Sequence, residues 1–160
     1  MRLVLSLAAL LAATPALAEG APPAPAPVAV ALLGPALNVS QLDREVKFYV
    51  EGLGMKVLMQ MGQTKRHETM LGFANDPRQP GLILMSDSTA SNLPPKAMGD
   101  GFDRLVMRIS SLPQLVLKLR GMGYSISDVR NVAMGYSMAF ATDPEGYKLE
   151  LVESGTAKGN

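Results

Sequence analysis

The feature that most constrains the fold of this chain is a weak internal duplication at an offset of about 70 residues. The segment GPALNVSQLDREVKFYVEGLGM begins at Gly34, and the segment RLVMRISSLPQLVLKLRGMGYS begins at Arg104. Aligning them pairs similar residues at four positions: Val39 with Ile109, Ser40 with Ser110, Leu42 with Leu112, and Val46 with Val116. A repeat of this kind indicates two copies of one structural unit.

Each copy contains the same predicted elements in the same order. A short strand is followed by an amphipathic helix at residues 41–51 or 112–122, with Ser40 or Ser111 as the N-cap and glycines after the helix end. Three strand-like runs follow, at 56–61, 66–73 and 81–86 in the first copy and at 124–129, 136–142 and 147–153 in the second. The fold class is therefore α+β, with two tandem βαβββ modules at residues 34–86 and 103–153 joined by a polar loop at 87–100.

The first 30 residues predict an exported protein. A positive Met1-Arg2, an apolar run and a small-x-small sequence at Ala16-Leu17-Ala18 are typical of a signal peptide spanning residues 1–18. A Pro/Ala-rich linker follows at 19–30, the folded domain is expected at 31–155, and residues 156–160 are expected to form a flexible tail. We expect secretion, to the periplasm if the organism is Gram-negative, and no membrane association after cleavage.

Composition excludes several function classes. Cysteine is absent, so disulfides, thiolate metal sites and cysteine nucleophiles are ruled out. The formal net charge of +1 gives no electrostatic reason to expect a nucleic acid partner. The sequence also lacks a nucleophile paired with a base and a glycine-rich phosphate loop.

The segment DPEGYKLELVES, residues 143–154, raises the question of a carboxylate within a strand. Asp-Pro-Glu-Gly is a tight-turn sequence, and the residues after it alternate in polarity as a half-buried strand does. Glu150 lies in the middle of that strand, on the face opposite Leu149 and Leu151. A buried carboxylate is unfavourable unless it has a partner, so Glu150 is either paired or an ordinary partly exposed strand residue.

The chain resembles the vicinal-oxygen-chelate superfamily, and most closely the small bacterial glyoxalase I enzymes. The resemblance rests on FYVEGLGMKVL after the first helix, on DPEGYKLELVES, and on the paired βαβββ layout. It implies a half-barrel cup that binds a divalent metal through two ligands per module, typically His and Glu. It also implies a homodimer, because small members of this family complete their cups across a dimer.

The resemblance places the four ligand positions at Gly34, Leu84, Arg104 and Glu150, and only Glu150 has a metal-binding side chain. Arg104 is a permanent cation where a metal needs a donor. We therefore predict an Arg104–Glu150 ion pair in place of the metal, and no cofactor. A one-residue register slip would instead turn Asp103 inward, and Asp103 with Glu150 would then be the fallback ligands for nickel, zinc, manganese or iron.

Three other features are candidates for ligand contact. Asn38 and Arg108 share strand faces with Gly34 and Arg104 and could reach an anionic or carbonyl-bearing ligand, although both are also typical solvated strand-end residues. His67, the only histidine, is expected at the surface. Methionines on the strands would make the cup adaptable to varied apolar ligands: Met59, Met61, Met85, Met107, Met134 and Met138.

Three functions remain open at this point. The first is binding of a small organic molecule in the cup without a catalytic metal. The second is a glyoxalase I-like lyase with a rearranged site built from Glu150, Asp103 and Asn38. The third is a structural or partner-binding module whose cup is filled by its own side chains.

Overall fold

A computed structural model describes residues 30–62, 66–76, 78–87 and 99–155. The predicted signal peptide, the tail and almost all of the linker lie outside these ranges, as does most of the loop predicted at 87–100. In the described part of the chain, no helix is long and apolar enough to cross a membrane.

The described elements form two copies of the predicted unit. The first copy contains β1 (Ala36–Val39), α1 (Leu42–Lys47), a π-helical turn (Phe48–Gly52), β2 (Lys56–Met61), β3 (Arg66–Gly72) and β4 (Leu82–Asp87). The second contains β5 (Leu105–Arg108), α2 (Leu112–Gly121), β6 (Arg130–Asn131), a 3-10 turn (Ala133–Gly135), β7 (Tyr136–Thr142) and β8 (Lys148–Ser154).

Each module contributes one four-stranded sheet with the same topology. The first sheet has the order β1-β4-β3-β2 and the second has β5-β8-β7-β6. In both, the first strand pairs in parallel with the last, while the other neighbours are antiparallel. The predicted α+β class and the duplicated βαβββ layout are confirmed.

The two faces of each sheet differ in burial. One face packs with the helices in a single apolar core that includes Leu37, Leu84, Leu105, Leu149 and Leu151. The other face, which we call the open face, carries the alternate strand residues. Exposed apolar side chains on it include Met59, Met61 and Val106, so these parts of the open faces are not packed as a core.

Aromatic and glycine contacts join the modules through their helices. The ring of Phe48 packs edge-to-face on Tyr124 of the second module, with centroids 4.8 Å apart. A Cβ on Gly52 would lie 2.9 Å from Leu119 Cδ2 in α2, so this glycine permits close approach. The modules therefore share one core.

Two local predictions were wrong. Residues 124–129 do not form a strand; they contribute one isolated bridge, Ile126 to Ala141, and the edge strand β6 comes later and is shorter. The first helix continues as a π turn from Phe48, and its N-cap is Gln41, not Ser40. Ser111 is the N-cap of α2 as predicted, but its side chain makes no capping hydrogen bond.

Candidate functional site

Glu150 is buried in the middle of β8 and is paired with Arg104. Its residue exposure is 8%, and Arg104 Nε donates a hydrogen bond to Glu150 Oε2 at 2.5 Å. Arg104 Nη1 also forms an ion pair with Asp103. The predicted Arg104–Glu150 ion pair is therefore present, and Asp103 and Glu150 bind the same guanidinium group.

The carboxylates reinforce the charge of Arg104. The hydrogen bond to Glu150 and the negative charges of Asp103 and Glu150 raise the pKa of the guanidinium. Arg104 therefore remains a cation beside Glu150 at any pH at which the protein is folded. A metal ion at Glu150 would have to displace this group.

Strand register corrects the position that we predicted in the first module. In the second module Val106 pairs with Glu150, and in the first module the matching residue of β1, Ala36, pairs with Ile83. Ile83 is thus the counterpart of Glu150. Leu84 is fully buried in the helix-facing core, because successive strand residues point to opposite faces. Leu84 does not lie in the cup.

Gly34 has a backbone reason for being glycine. Its φ is +136°, and an added Cβ would lie 2.0 Å from the carbonyl oxygen of Gly81. The close approach lets the chain enter β1 beside the start of β4, where Gly81 N–H donates to Leu33 O at 2.7 Å. A ligand side chain at this position is sterically excluded.

Asn38 and Arg108 lie on the open faces of different sheets. Asn38 Oδ1 accepts a hydrogen bond from Arg66 Nη2 at 3.3 Å, and its carbonyl oxygen accepts one from the Tyr147 hydroxyl at 3.0 Å. Arg108 is exposed and forms neither an ion pair nor a side-chain hydrogen bond with any residue that the structure describes. Its guanidinium group is available to a ligand.

The residues at the predicted metal position do not fit a catalytic metal. Zinc-type catalytic sites use about three protein ligands, whereas Glu150 is already bound by an arginine and its counterpart is Ile83. Within the described ranges there is no group of three His, Asp or Glu side chains that could hold an ion. His67 is half-buried on the helix-facing side of β3, so it is less exposed than predicted.

The predicted methionines divide between the two faces. Strand pairing puts Met59, Met61 and Met85 on the open face of the first sheet, together with Met70. Met107 lies on the core face of β5, and Met138 lies on the open face of the second sheet. The open face of the first sheet is therefore rich in flexible apolar side chains.

Sequence reasoning missed a buried carboxyl cluster between the modules. Glu45 of α1 is fully buried beside Asp143 and Glu145 of the DPEG turn. The Tyr49 hydroxyl donates to Asp143 Oδ2 at 2.7 Å. Neither oxygen of Glu45 accepts a hydrogen bond from a described donor.

Burial, together with the negative charges of Asp143 and Glu145, raises the pKa of Glu45 to about 9. Burial also raises the pKa of Asp143, against the effect of its hydrogen-bond donors. Glu45 is therefore protonated at neutral pH and can donate to Asp143. The signal was present in the sequence, because Glu45 falls in the apolar stripe formed by Leu42, Val46 and Tyr49.

Glu145 connects the turn of the second module to the first helix. Its Oε1 accepts hydrogen bonds from Ser40 N at 2.8 Å, Ser40 Oγ at 2.5 Å and Gln41 N at 3.0 Å. These donors precede α1 and have no intrahelical acceptor. A side chain more than 100 residues away thus caps the helix, with a sequence separation of 105 between Ser40 and Glu145.

This architecture and sequence match a known family. The model of the Glyoxalase/Bleomycin resistance protein/Dioxygenase superfamily matches residues 29–151. The chain belongs to this superfamily.

Relatives in the family are enzymes at low sequence identity. The lactoylglutathione lyase of Salmonella typhimurium is 25% identical over 125 residues, which cover 77% of this chain and 92% of that protein. The lactoylglutathione lyase of Arabidopsis thaliana is 28% identical over 122 residues, which cover 74% of this chain and 42% of the plant protein. The chain thus spans less than half the length of the plant relatives.

Solved glyoxalase structures share the fold. Glyoxalase I of Leishmania major, described as trypanothione-dependent, aligns with a TM-score of 0.67 and 26% identity over 78% of this chain and 87% of that chain. Glyoxalase I from Zea mays aligns with a TM-score of 0.69 and 26% identity over 79% of this chain and 45% of that chain.

Proposed function

We propose that this superfamily member binds a small organic molecule in its cup without a catalytic metal. The observation that supports the proposal is the 2.5 Å contact between Arg104 Nε and Glu150 Oε2. The single carboxylate at the four ligand positions is neutralised by a residue of the chain itself. The function then depends on binding, not on activation of water or substrate by an ion.

Surface composition supports a binding role. The open face of the second sheet carries the side chains of Val106, Phe140 and Val152 between the cations Arg104 and Arg108. The open face of the first sheet supplies methionines, which adapt their shape to varied ligands. An organic molecule with an apolar body and a polar group matches this mixture.

A second candidate is a lactoylglutathione lyase-type enzyme, which is favoured by the similarity of the chain to lactoylglutathione lyases. Its site would need Arg104 to leave Glu150, so that Asp103 and Glu150 could bind a cation and Asn38 could contact substrate. The ion pair of Arg104 with both carboxylates opposes this arrangement. Such an enzyme would turn over a hemithioacetal only with a divalent ion and would lose activity on Glu150→Gln.

Metal stoichiometry distinguishes the two candidates. We would incubate the purified protein separately with nickel, zinc, manganese and iron(II), remove excess ion, and measure retained metal by elemental analysis alongside hemithioacetal turnover. We expect well below one ion per chain and no turnover with any metal. Retention of about one ion, lost in Glu150→Gln but kept in a control Glu51→Gln, would overturn the metal-free proposal.

We also propose export and self-association for the protein. Residues 1–18 have the composition of a cleaved signal peptide, which N-terminal sequencing of the mature protein would test. Exposed methionines and Val106 on the open faces are the apolar surfaces available to a second copy of the chain.

A further inference from the structure

Two neighbouring cavities meet at Arg108 and Phe73. The first has a volume of about 370 Å³ and lies between the start of the first sheet and β5, and every described residue that lines it except Arg108 is apolar or glycine. The second has a volume of about 410 Å³ and is lined by polar groups that include Ser110, Gln114 and Lys118. Arg108 and Phe73 line both cavities.

The charge of this cleft has one sign. Among the residues that the structure describes, Arg108 and Lys118 are the only ionisable ones that line the cleft, and none of the described lining residues is an acid. Arg108 has no ion-pair partner among the described residues, unlike Arg104. An unpaired guanidinium at the boundary of an apolar cavity favours a carboxylate that is attached to an apolar body.

The backbone holds Arg108 in position. Arg108 pairs with Val152 across β5 and β8, and the next residue donates from Ile109 N to Val152 O at 2.8 Å. The start of α2 does not serve as the anion site, because Glu153 Oε2 already accepts from Leu112 N at 3.1 Å. Recognition therefore rests on side chains projected from a strand and on the Phe73 ring, which is 53% exposed.

We propose that this inter-module cleft binds an organic monocarboxylate, with its apolar or aromatic body in the 370 Å³ cavity against Phe73 and its carboxylate at Arg108 and Lys118. The inference rests on the proposed function, because it names the chemical class of the bound molecule. It goes further by assigning the site to Arg108 and Phe73, away from the Arg104–Glu150 pair.

Matched acids and alcohols test the inference. We would titrate the full-length purified protein with 3-phenylpropanoate and octanoate, and with 3-phenylpropan-1-ol and octan-1-ol as neutral counterparts, by isothermal titration calorimetry. The acids are expected to bind at least ~10-fold more tightly than the alcohols, since one charge-assisted contact contributes about a factor of ten. Raising the salt concentration should weaken binding of the acids and leave binding of the alcohols unchanged.

Variants locate the site. Arg108→Gln is expected to lower the affinity for the acids at least ~10-fold without changing the affinity for the alcohols. Phe73→Ala is expected to lower the affinity for both classes of probe. Arg120→Gln serves as the control, because Arg120 lies on α2 near Lys118 but lines neither cavity. Thermal unfolding of each variant checks that loss of binding does not result from loss of the fold. The variants are expected to remain folded, because Arg108 and Phe73 are exposed.

The outcomes separate this inference from the proposed function. Equal affinity for acids and alcohols, or acid binding that survives Arg108→Gln, would overturn the carboxylate site while leaving metal-free binding intact. Absence of binding by all four probes would also overturn it. A retained metal with hemithioacetal turnover would instead overturn the proposed function.

Discussion

At the scale of single residues, the most unusual group is Glu45. A carboxyl group with no exposed surface and with two acidic neighbours is stable in the fold only when it keeps its proton. That proton can be donated to the neighbouring Asp143, which itself accepts a hydrogen bond from the Tyr49 hydroxyl. This arrangement makes the stability of the protein depend on pH through one interior proton.

We predict that Glu45→Gln stabilises the protein at neutral pH. The folded-state pKa is about 9 against an ordinary value of 4.5, so stability from this group is complete below pH 4.5 and declines as pH rises toward 9. Glutamine keeps the shape and a donor but does not ionise when unfolded. The expected gain at pH 7 is on the order of 2 kcal/mol, measured by urea unfolding.

The pH dependence provides the control for that prediction. Between pH 5 and pH 9, stability should fall less steeply in Glu45→Gln than in the parent protein. Glu51→Gln, at an exposed position of the π turn, should leave the slope unchanged. Identical slopes in parent and Glu45→Gln would contradict a buried, protonated Glu45.

A second residue-scale prediction concerns Gly34. Gly34→Ala should destabilise the protein by roughly 2–4 kcal/mol, because the new methyl group meets the Gly81 carbonyl and the φ of +136° disfavours any L side chain. Gly121→Ala is the matched control, since no heavy atom lies within 4 Å of its Cβ position. We expect that control to be neutral or stabilising, and equal effects at the two sites would refute the steric explanation.

At the scale of elements, the two helices differ in which module supplies the capping residue. The donors before α1 bind Glu145 of the other module, whereas Leu112 N of α2 binds Glu153 of its own module. Neither helix uses its N-cap side chain for this purpose. The cap of α1 is therefore a tertiary interaction that also connects the modules.

This difference predicts that replacing the two capping glutamates by alanine destabilises the protein to unequal extents. Glu145→Ala removes the acceptor of three hydrogen bonds and should destabilise the protein by about 2 kcal/mol, even though it relieves repulsion with Glu45. Glu153→Ala removes one hydrogen bond and should lower the free energy of unfolding by about 1 kcal/mol or less. Chemical denaturation of both variants measures the losses, and a smaller loss for Glu145→Ala would show that its cap contributes little.

The limits of sequence reasoning also appear at this scale. The sequence predicted β2 and β7 with their observed bounds, because β2 lies between Gly54 and Gly62 and β7 lies between Gly135 and the DPEG turn. It failed at residues 124–129, where an extended segment with apolar residues contacts β7 through a single bridge. The resemblance placed Leu84 at a ligand position in the cup, and this was wrong because the register of an apolar strand is set by its neighbours and not by its own pattern.

At the scale of the whole molecule, the duplication was the strongest predictor. It specified two modules and, through the resemblance, the Arg104–Glu150 pair that the structure contains. It did not predict the Glu45 cluster or the cleft at Arg108, because both depend on how the modules pack on each other. A repeat defines each unit, whereas the contact between units is defined by residues that the repeat does not share.

Self-association is the prediction at this scale. We expect a dimer at micromolar concentration in which the second copy covers the methionine-rich open face of the first sheet and completes the cup, and Met59→Glu should shift it toward monomer in sedimentation velocity. Leu117→Glu is the control, because Leu117 is also an exposed apolar residue but lies on α2. A monomeric parent protein, or equal dissociation by both variants, would contradict this interface.

The cap that Glu145 provides has a consequence for synthesis of the chain. During synthesis, the segment around Ser40 emerges from the ribosome long before the turn that contains Glu145, because 105 residues separate them. Until the second module has emerged, α1 lacks its acceptor and Gly52 lacks the Leu119 side chain against which it packs. The first half of a nascent polypeptide is then an incomplete folding unit, so final folding is expected only after translation has passed the DPEG turn.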